Sequence, residues 1–97
     1  MTTYSLEFLP SAQKEWAKLN PSLREQFARK LRERLTHPHV ASARLSGLRD
    51  CYKIKLHDAG YRLVYRVFDD RIVVQVVAVG RRDRNLVYKI AAGRLDT

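Results

Sequence analysis

Residues 51–67 read CYKIKLHDAGYRLVYRV, two apolar–polar alternations separated by a four-residue turn that ends in Gly60. Alternation with a period of two is typical of β-strands that bury one face, and a turn ending in glycine suits a hairpin. Pairing Leu56 with Tyr61 sets Lys55 opposite Arg62, Lys53 opposite Val64, and Cys51 opposite Arg66. A slip by one residue would bury several cations together without partners, so the pattern favours this register.

The hairpin divides its side chains between two faces of the predicted sheet. The core face carries the apolar set Tyr52, Ile54, Leu56, Tyr61, Leu63 and Tyr65. The other, which we call the basic face, carries Lys53, Lys55, Arg62 and Arg66. After the turn at Asp69-Asp70, a third strand is predicted over residues 71–79. Its parity places Ile72, Val74, Val76 and Ala78 on the core face, and Val73, Gln75 and Val77 beside the cations.

The N-terminal half has one short strand and then helical spacing. Residues 4–8 alternate like a strand, and Pro10 ends that pattern. A first helix is predicted from the stripe Ala12, Trp16 and Leu19. Asn20-Pro21 supplies an N-cap and a first-turn proline for a second helix, which Pro38 stops. Its apolar stripe is Leu23, Phe27, Leu31 and Leu35, and its opposite, solvated face carries Arg24, Glu25, Arg29, Lys30, Arg32, Glu33 and Arg34.

These elements predict an α+β domain: an N-terminal strand and a two-helix hairpin packed on one face of a small antiparallel β-sheet. Residues 43–45 read as a further short strand, and residues 86–91 as a short C-terminal helix. The second face of such a sheet is free to meet solvent or a ligand. We therefore expect the basic face to be accessible.

Composition restricts the class of protein further. The 97 residues contain 19 Lys+Arg and 10 Asp+Glu, a formal net charge of +9, which favours a polyanionic partner. The length predicts a single domain over residues 1–97. The single Cys51 excludes an intramolecular disulfide and gives no zinc site. Without an apolar run of about 18 residues or a secretory leader, we expect a cytoplasmic protein with no membrane partner.

The basic face gathers four cations with no interleaved acid, an arrangement that favours binding an anion. The alternative is an ordinary solvated sheet face. Downstream, Arg82 and Tyr88 follow the last strand, and a loop leaving at Gly80 brings them to the rim of the same face. Arginine binds phosphate bidentately, and tyrosine offers a stacking ring and a hydroxyl. By spacing alone, an ordinary charged loop and a half-buried helical tyrosine are the more common explanation of these two residues.

In this order, the residues resemble the RelE family of bacterial type II toxins. The similarity spans most of the chain and is carried by residues 14–19, 24–26, 50–56 and 60–65, and by Val79, Gly80, Arg82, Arg84, Val87 and Tyr88. It implies a small α+β toxin that cleaves mRNA in the ribosomal A site. It also implies three partners: the ribosome with its 16S rRNA, the mRNA substrate, and an acidic RelB-like antitoxin that is partly disordered.

The resemblance places the family's active-site residues on Lys53, Lys55, Arg62, Arg82 and Tyr88. One departure is Ser46, at a position where a basic residue is familiar in the family. Further RNA-binding residues are expected at Arg66, Arg81, Arg84, Arg24 and Lys30.

The chemistry can be argued from the residues themselves. RNA cleaves when its 2′-OH attacks the adjacent phosphate, which requires a base, charge stabilisation and a proton for the 5′-oxygen. Histidine and glutamate are absent from the constellation, and a lysine crowded by cations can have a lowered pKa. We therefore expect Lys53 or Lys55 as base or electrostatic support and Arg62 as the clamp on the phosphate. Arg82 would stabilise the transition state or supply the leaving-group proton, and Tyr88 would stack on a base or orient the 2′-OH.

This mechanism uses no cofactor and no metal. His37 and His39 lack a third ligand and are more typical of a helix terminus. Two alternatives stay open: a ParE-like toxin of similar fold that acts on DNA gyrase, and a basic RNA-binding domain without catalysis.

Overall fold

A computed structural model describes residues 2–56, 58–81 and 83–95, with Arg84 described by its backbone alone. The four strands are β1 (Ser5–Phe8), β2 (Cys51–Leu56), β3 (Tyr61–Phe68) and β4 (Val73–Arg81). The three α-helices are α1 (Pro10–Lys18), α2 (Pro21–Thr36) and α3 (Leu86–Leu95). Over these residues, no helix is long and apolar enough to cross a membrane.

The strands form one sheet in the order β1-β4-β3-β2. β2, β3 and β4 pair antiparallel, as the two turns predicted, whereas β1 lies parallel to β4. The sheet is therefore mixed rather than wholly antiparallel. The alternation of residues 4–8 predicts a half-buried strand, but Ser5, Leu6 and Glu7 are exposed and only Phe8 is half-buried. The alternation also carries no information about the direction of the neighbouring strand. The helical hairpin supplies the crossover that a parallel neighbour requires.

The predicted hairpin register is confirmed. Lys55 pairs with Arg62 and Lys53 with Val64 across β2 and β3. Gly60 has φ +68°, in the left-handed region where glycine has no steric penalty. The turn chemistry and the alternation therefore agree, and both strands present their cations on one face.

β4 departs from the predicted parity at a bulge. Val64 pairs with Ala78 while the next residue, Tyr65, pairs with Val76, so Val77 is the extra residue. A bulge reverses the alternation beyond it. The predicted core-face position of Ala78 is therefore wrong, because Ala78 lies with Val77 on the basic face.

The predicted core-face position of Ile72 is also wrong. It lies in the turn before β4, at φ +54°, with 44% of its surface exposed. The short strand predicted at residues 43–45 is instead a 3-10 turn, Ala41–Ala43, followed by a single antiparallel bridge from Arg44 to Tyr52.

Two apolar clusters lie on opposite faces of the sheet. On the core face, α1 and α2 bury Ala12, Phe27 and Leu31, and Asn20 caps α2 by accepting a 2.9 Å hydrogen bond from the Leu23 amide. On the basic face, α3 packs Val87 and Ala91 onto a cluster of small side chains, Cys51, Val64, Val77 and Ala78. The prediction that this face is open is therefore wrong for its centre.

Candidate nucleic-acid interface

Lys53, Lys55 and Arg62 lie together where β2 and β3 pair. Lys55 and Arg62 are direct cross-strand partners, and both lysines are half-buried. Arg62 is only 4% exposed, and its Nη1 donates a 2.9 Å hydrogen bond to the Tyr61 carbonyl. Among the described residues, neither Lys53 nor Arg62 forms an ion pair with a carboxylate. The structure therefore holds a fixed guanidinium beside two lysines.

Tyr88 lies on the first turns of α3 and reaches the same face. It packs against the cluster that contains Val64, the cross-strand partner of Lys53. Beside it is a cavity of about 540 Å³, which we call the Tyr88 cavity. Its lining is Leu45, Ser46, Gly47, Leu48, Asn85, Tyr88, Lys89 and Ala92. The Tyr88 hydroxyl has no hydrogen-bond partner among the described residues and is free for a ligand.

A half-buried ion pair holds α3 in place. Arg94 donates to both carboxylate oxygens of Glu15 on α1, at 2.8 and 3.1 Å, and to the Val77 carbonyl at 2.7 Å. Glu15 also accepts a 3.1 Å hydrogen bond from the Val79 amide. The pair thereby satisfies backbone groups at the bulge and fixes the helix that carries Tyr88.

Arg82, predicted as catalytic, and the side chain of Arg84, predicted to bind RNA, lie outside the described residues. Arg81 is exposed at the end of β4, and its Nε donates to the Tyr61 hydroxyl at 3.5 Å. That bond raises the pKa of Arg81, which stays cationic.

The remaining predicted RNA-binding residues are more dispersed. The Arg66 guanidinium lies 4.8 Å from the Phe68 ring centre, with its Nε buried and unpartnered among the described residues. Arg24 donates to the Ala17 carbonyl at 3.1 Å and so joins α1 to α2. Lys30 is exposed on α2.

A second group of cations lies between α2 and β2. A cavity of about 240 Å³, which we call the α2–β2 cleft, is lined by Lys30, Arg34, Ser42, Ala43, Lys53 and Lys55. The sequence placed Arg34 on the solvated face of α2, which is wrong. Its Nη1 donates to the Lys53 carbonyl at 3.1 Å and to the Tyr65 hydroxyl at 2.9 Å. Arg34 follows Leu31 by three residues and so borders the apolar stripe, the signal that identifies it.

The histidine region is structural. His39 lies 2.7 Å from the Tyr52 hydroxyl and 2.8 Å from Asp69. Asp69 also accepts a 2.6 Å hydrogen bond from Tyr4, and these bonds hold the pKa of its carboxyl below the usual value. The described residues contain no cluster of three side chains that could hold a metal ion. Burial raises the pKa of the Cys51 thiol to about 11, which fits its expected packing role.

Comparison with known proteins adds an independent line of evidence. A family model described as ParE toxin of type II toxin–antitoxin system, parDE, matches residues 6–86. The chain is 49% identical over 92 residues to the mRNA interferase toxin RelE of Escherichia coli K12, covering 95% of this chain and 97% of that protein.

Solved structures agree with this likeness. A double arginine mutant of E. coli RelE in the free state superposes with a TM-score of 0.90 at 46% identity, covering 97% of this chain and 99% of that one. The RelE chain of the E. coli RelBE toxin–antitoxin complex matches with a TM-score of 0.81 at 49% identity, covering 84% and 99%.

Proposed function

We propose that this chain, which belongs to the ParE toxin family of type II toxin–antitoxin systems, is an mRNA interferase of the RelE type. It acts as one toxin domain over residues 1–97 and works in the cytoplasm. There it cleaves mRNA in the ribosomal A site and is neutralised by an acidic RelB-like antitoxin. The observation that carries the proposal is the grouping of Lys53, Lys55 and Arg62 on one face that α3 also supplies with Tyr88.

The reaction starts from the 2′-hydroxyl of the substrate. Lys53 or Lys55 in its neutral form takes the 2′ proton, the O2′–P bond forms, and the P–O5′ bond breaks. The products are a 2′,3′-cyclic phosphate and a 5′-hydroxyl, whose proton comes from Arg82 or another acid. Because the nucleophile belongs to the RNA, no metal-bound hydroxide is required.

Electrostatic stabilisation is the largest contribution that this site offers. Arg62 is held by the sheet and cannot swing far, so its charge is preorganised for the extra negative charge on phosphorus. Tyr88 stacks on a base that enters the Tyr88 cavity, or its free hydroxyl orients the 2′-OH. With a lysine and a tyrosine in place of histidine and glutamate, substrate positioning supplies much of the rate, which explains dependence on the ribosome.

The test uses purified ribosomes with an open A site, mapped by primer extension. Wild-type protein is expected to cut, and a protein with Arg62→Met and Arg82→Ala is expected to lose at least about 100-fold in rate. A protein with Lys14→Gln and Lys18→Gln also loses two positive charges, but from exposed positions on α1, and serves as the matched control. Full cutting by the first variant would refute the site.

Two further arms separate the alternatives. A 2′-deoxy nucleotide at the scissile position is expected to abolish cutting, and persistence would refute the mechanism but not the target. A DNA gyrase supercoiling assay tests the ParE-like activity that the family model's description raises. Inhibition of gyrase without mRNA cutting would overturn the proposal, as would RNA binding without strand scission.

A further inference from the structure

The α2–β2 cleft is a concentrated cationic site beside the proposed active site. Two of its cations, Lys30 and Arg34, come from α2, while Lys53 and Lys55 come from β2, and Ser42 adds a hydroxyl. None of the described residues that line it is a carboxylate. Within the described part of the chain, Lys30, Arg34 and Lys53 form no ion pair. Such a group of like charges is stabilised by an anion.

Arg34 is preorganised for that anion. Its Nη1 is held by the Lys53 carbonyl and the Tyr65 hydroxyl, and its guanidinium lies 5.7 Å from the Tyr65 ring centre. The described residues supply no acceptor for its Nε and Nη2. A guanidinium fixed at one nitrogen loses little side-chain entropy when its remaining donors bind a phosphate.

The size and place of the cleft identify the anion. About 240 Å³ is below the range of roughly 300–1,000 Å³ that holds a small organic ligand, and suits a single phosphate group with its water. β2 is an edge strand, with α2 on the core-face side and Tyr88 on the basic-face side. An RNA strand that crosses this edge would meet both sites, which share Lys53 and Lys55.

We propose that the α2–β2 cleft binds a phosphate of the mRNA chain that flanks the scissile one, through Lys30, Arg34 and Ser42. This deepens the proposed function and rests on it. Lys30, Arg34 and Ser42 position the strand and take no part in the proton transfers. Loss of the Lys30 and Arg34 charges therefore weakens substrate binding and leaves the rate of the bound complex nearly unchanged.

The first test is single-turnover cleavage on programmed ribosomes with the toxin concentration varied. A protein with Lys30→Gln and Arg34→Gln is expected to need about tenfold more toxin for half-saturation, with the plateau rate within about threefold. The matched control is again Lys14→Gln with Lys18→Gln, expected to shift half-saturation less than threefold. Arg34→Lys, which keeps the charge, is expected to recover part of the loss.

The second test reads the site directly without the ribosome. An eight-nucleotide 2′-O-methyl RNA is added during lysine acetylation, and the modified lysines are mapped by mass spectrometry. Lys30 is expected to be protected at least threefold, whereas Lys14 and Lys18 are not. Because Arg34 also bonds to β2 and β3, thermal melts check that each variant is folded. Lys30→Gln alone keeps the test decisive, because Lys30 is exposed and forms no ion pair with a described residue.

The outcomes separate this inference from the proposed function. Wild-type cutting together with an unprotected Lys30 and control-like kinetics of the cleft variants would overturn the inference alone. Absence of wild-type cutting would overturn the proposed function, and the acetylation result would still report on the cleft. Weakened binding of an acidic antitoxin peptide, with RNA binding unchanged, would overturn the inference by assigning the cleft to a protein partner.

Discussion

Replacing Arg94 by methionine should release α3 from the sheet while the rest of the domain stays folded. With described residues, Arg94 forms two hydrogen bonds to Glu15 and one to the Val77 carbonyl, and its side chain is 22% exposed. Methionine keeps most of the stem and removes the charge. Glu15 then keeps its bond to the Val79 amide but loses its cation.

The magnitude follows from partial burial. A pair about 4 Å apart at an effective dielectric near 20 has a gross attraction of about 4 kcal/mol, and desolvation offsets part of it. Losing hydrogen bonds to a charged group costs about 1.5–3 kcal/mol, so we expect about 2–3 kcal/mol for Arg94→Met. A ten-residue helix is marginal by itself, so the loss should appear as local opening of α3.

The assay is native-state amide hydrogen exchange. Two to three kcal/mol corresponds to about a 30- to 150-fold loss of protection in α3, with much smaller changes in β3. Lys89→Met is the control, because Lys89 is exposed on the same helix, and it should change protection less than threefold. A cycle with Glu15→Gln should give at least about 1 kcal/mol of coupling. Additive stability effects of the two substitutions, or unchanged hydrogen exchange in α3, would refute the conclusion that the Arg94–Glu15 pair holds α3 on the sheet.

Three smaller predictions follow. In single-turnover cleavage, Tyr88→Phe should lower the rate of the ribosome-bound complex about tenfold, and Tyr88→Ala about 100-fold. A wild-type rate for the phenylalanine variant would show that Tyr88 acts by stacking alone and that its hydroxyl has no role. The pKa of the Asp69 carboxyl is lower in the folded protein than in the unfolded chain, so its contribution to stability is present above about pH 4 and is lost as the pH falls through the folded-state pKa. In an acid titration, Asp69→Asn should therefore lose less stability below pH 4 than the wild type does. Equal losses would contradict this prediction. Gly60→Ala, at φ +68°, should cost about 1–2 kcal/mol in urea unfolding, and no change would show that the turn relaxes.

Much of the fold is predictable because local signals agree with one another. Asn20-Pro21 fixes the start of α2 by capping chemistry, and the alternation of residues 51–67 fixes the hairpin register. Both signals act over a few residues and leave few alternatives. The pairing of Lys55 with Arg62 is predictable for the same reason, since it follows directly from that register.

The predictions from sequence fail where several arrangements of apolar side chains fit the pattern equally well. Val77 and Ala78 are both apolar, so the bulge that turns both toward the basic face leaves no mark in the pattern. The covering of that face by α3 depends on Val87 and Ala91, which a weakly amphipathic segment does not distinguish from a free helix. Charge alone predicts that Arg34 faces solvent, whereas its aliphatic stem borders the apolar stripe of α2 and its guanidinium reaches β2.

The position of the lysines on an outer strand also bears on how an inactive toxin should be made. β2 is an edge strand of the sheet, and the described residues contact its open side through the Arg44 bridge and the Arg34 bond to the Lys53 carbonyl. Lysines on an edge strand keep neighbouring molecules from adding to the sheet and so limit aggregation. Neutralising Lys53 and Lys55 would remove both proposed bases together with the charges that oppose self-association, so Tyr88 is the better position to change when an inactive protein is wanted for structural work.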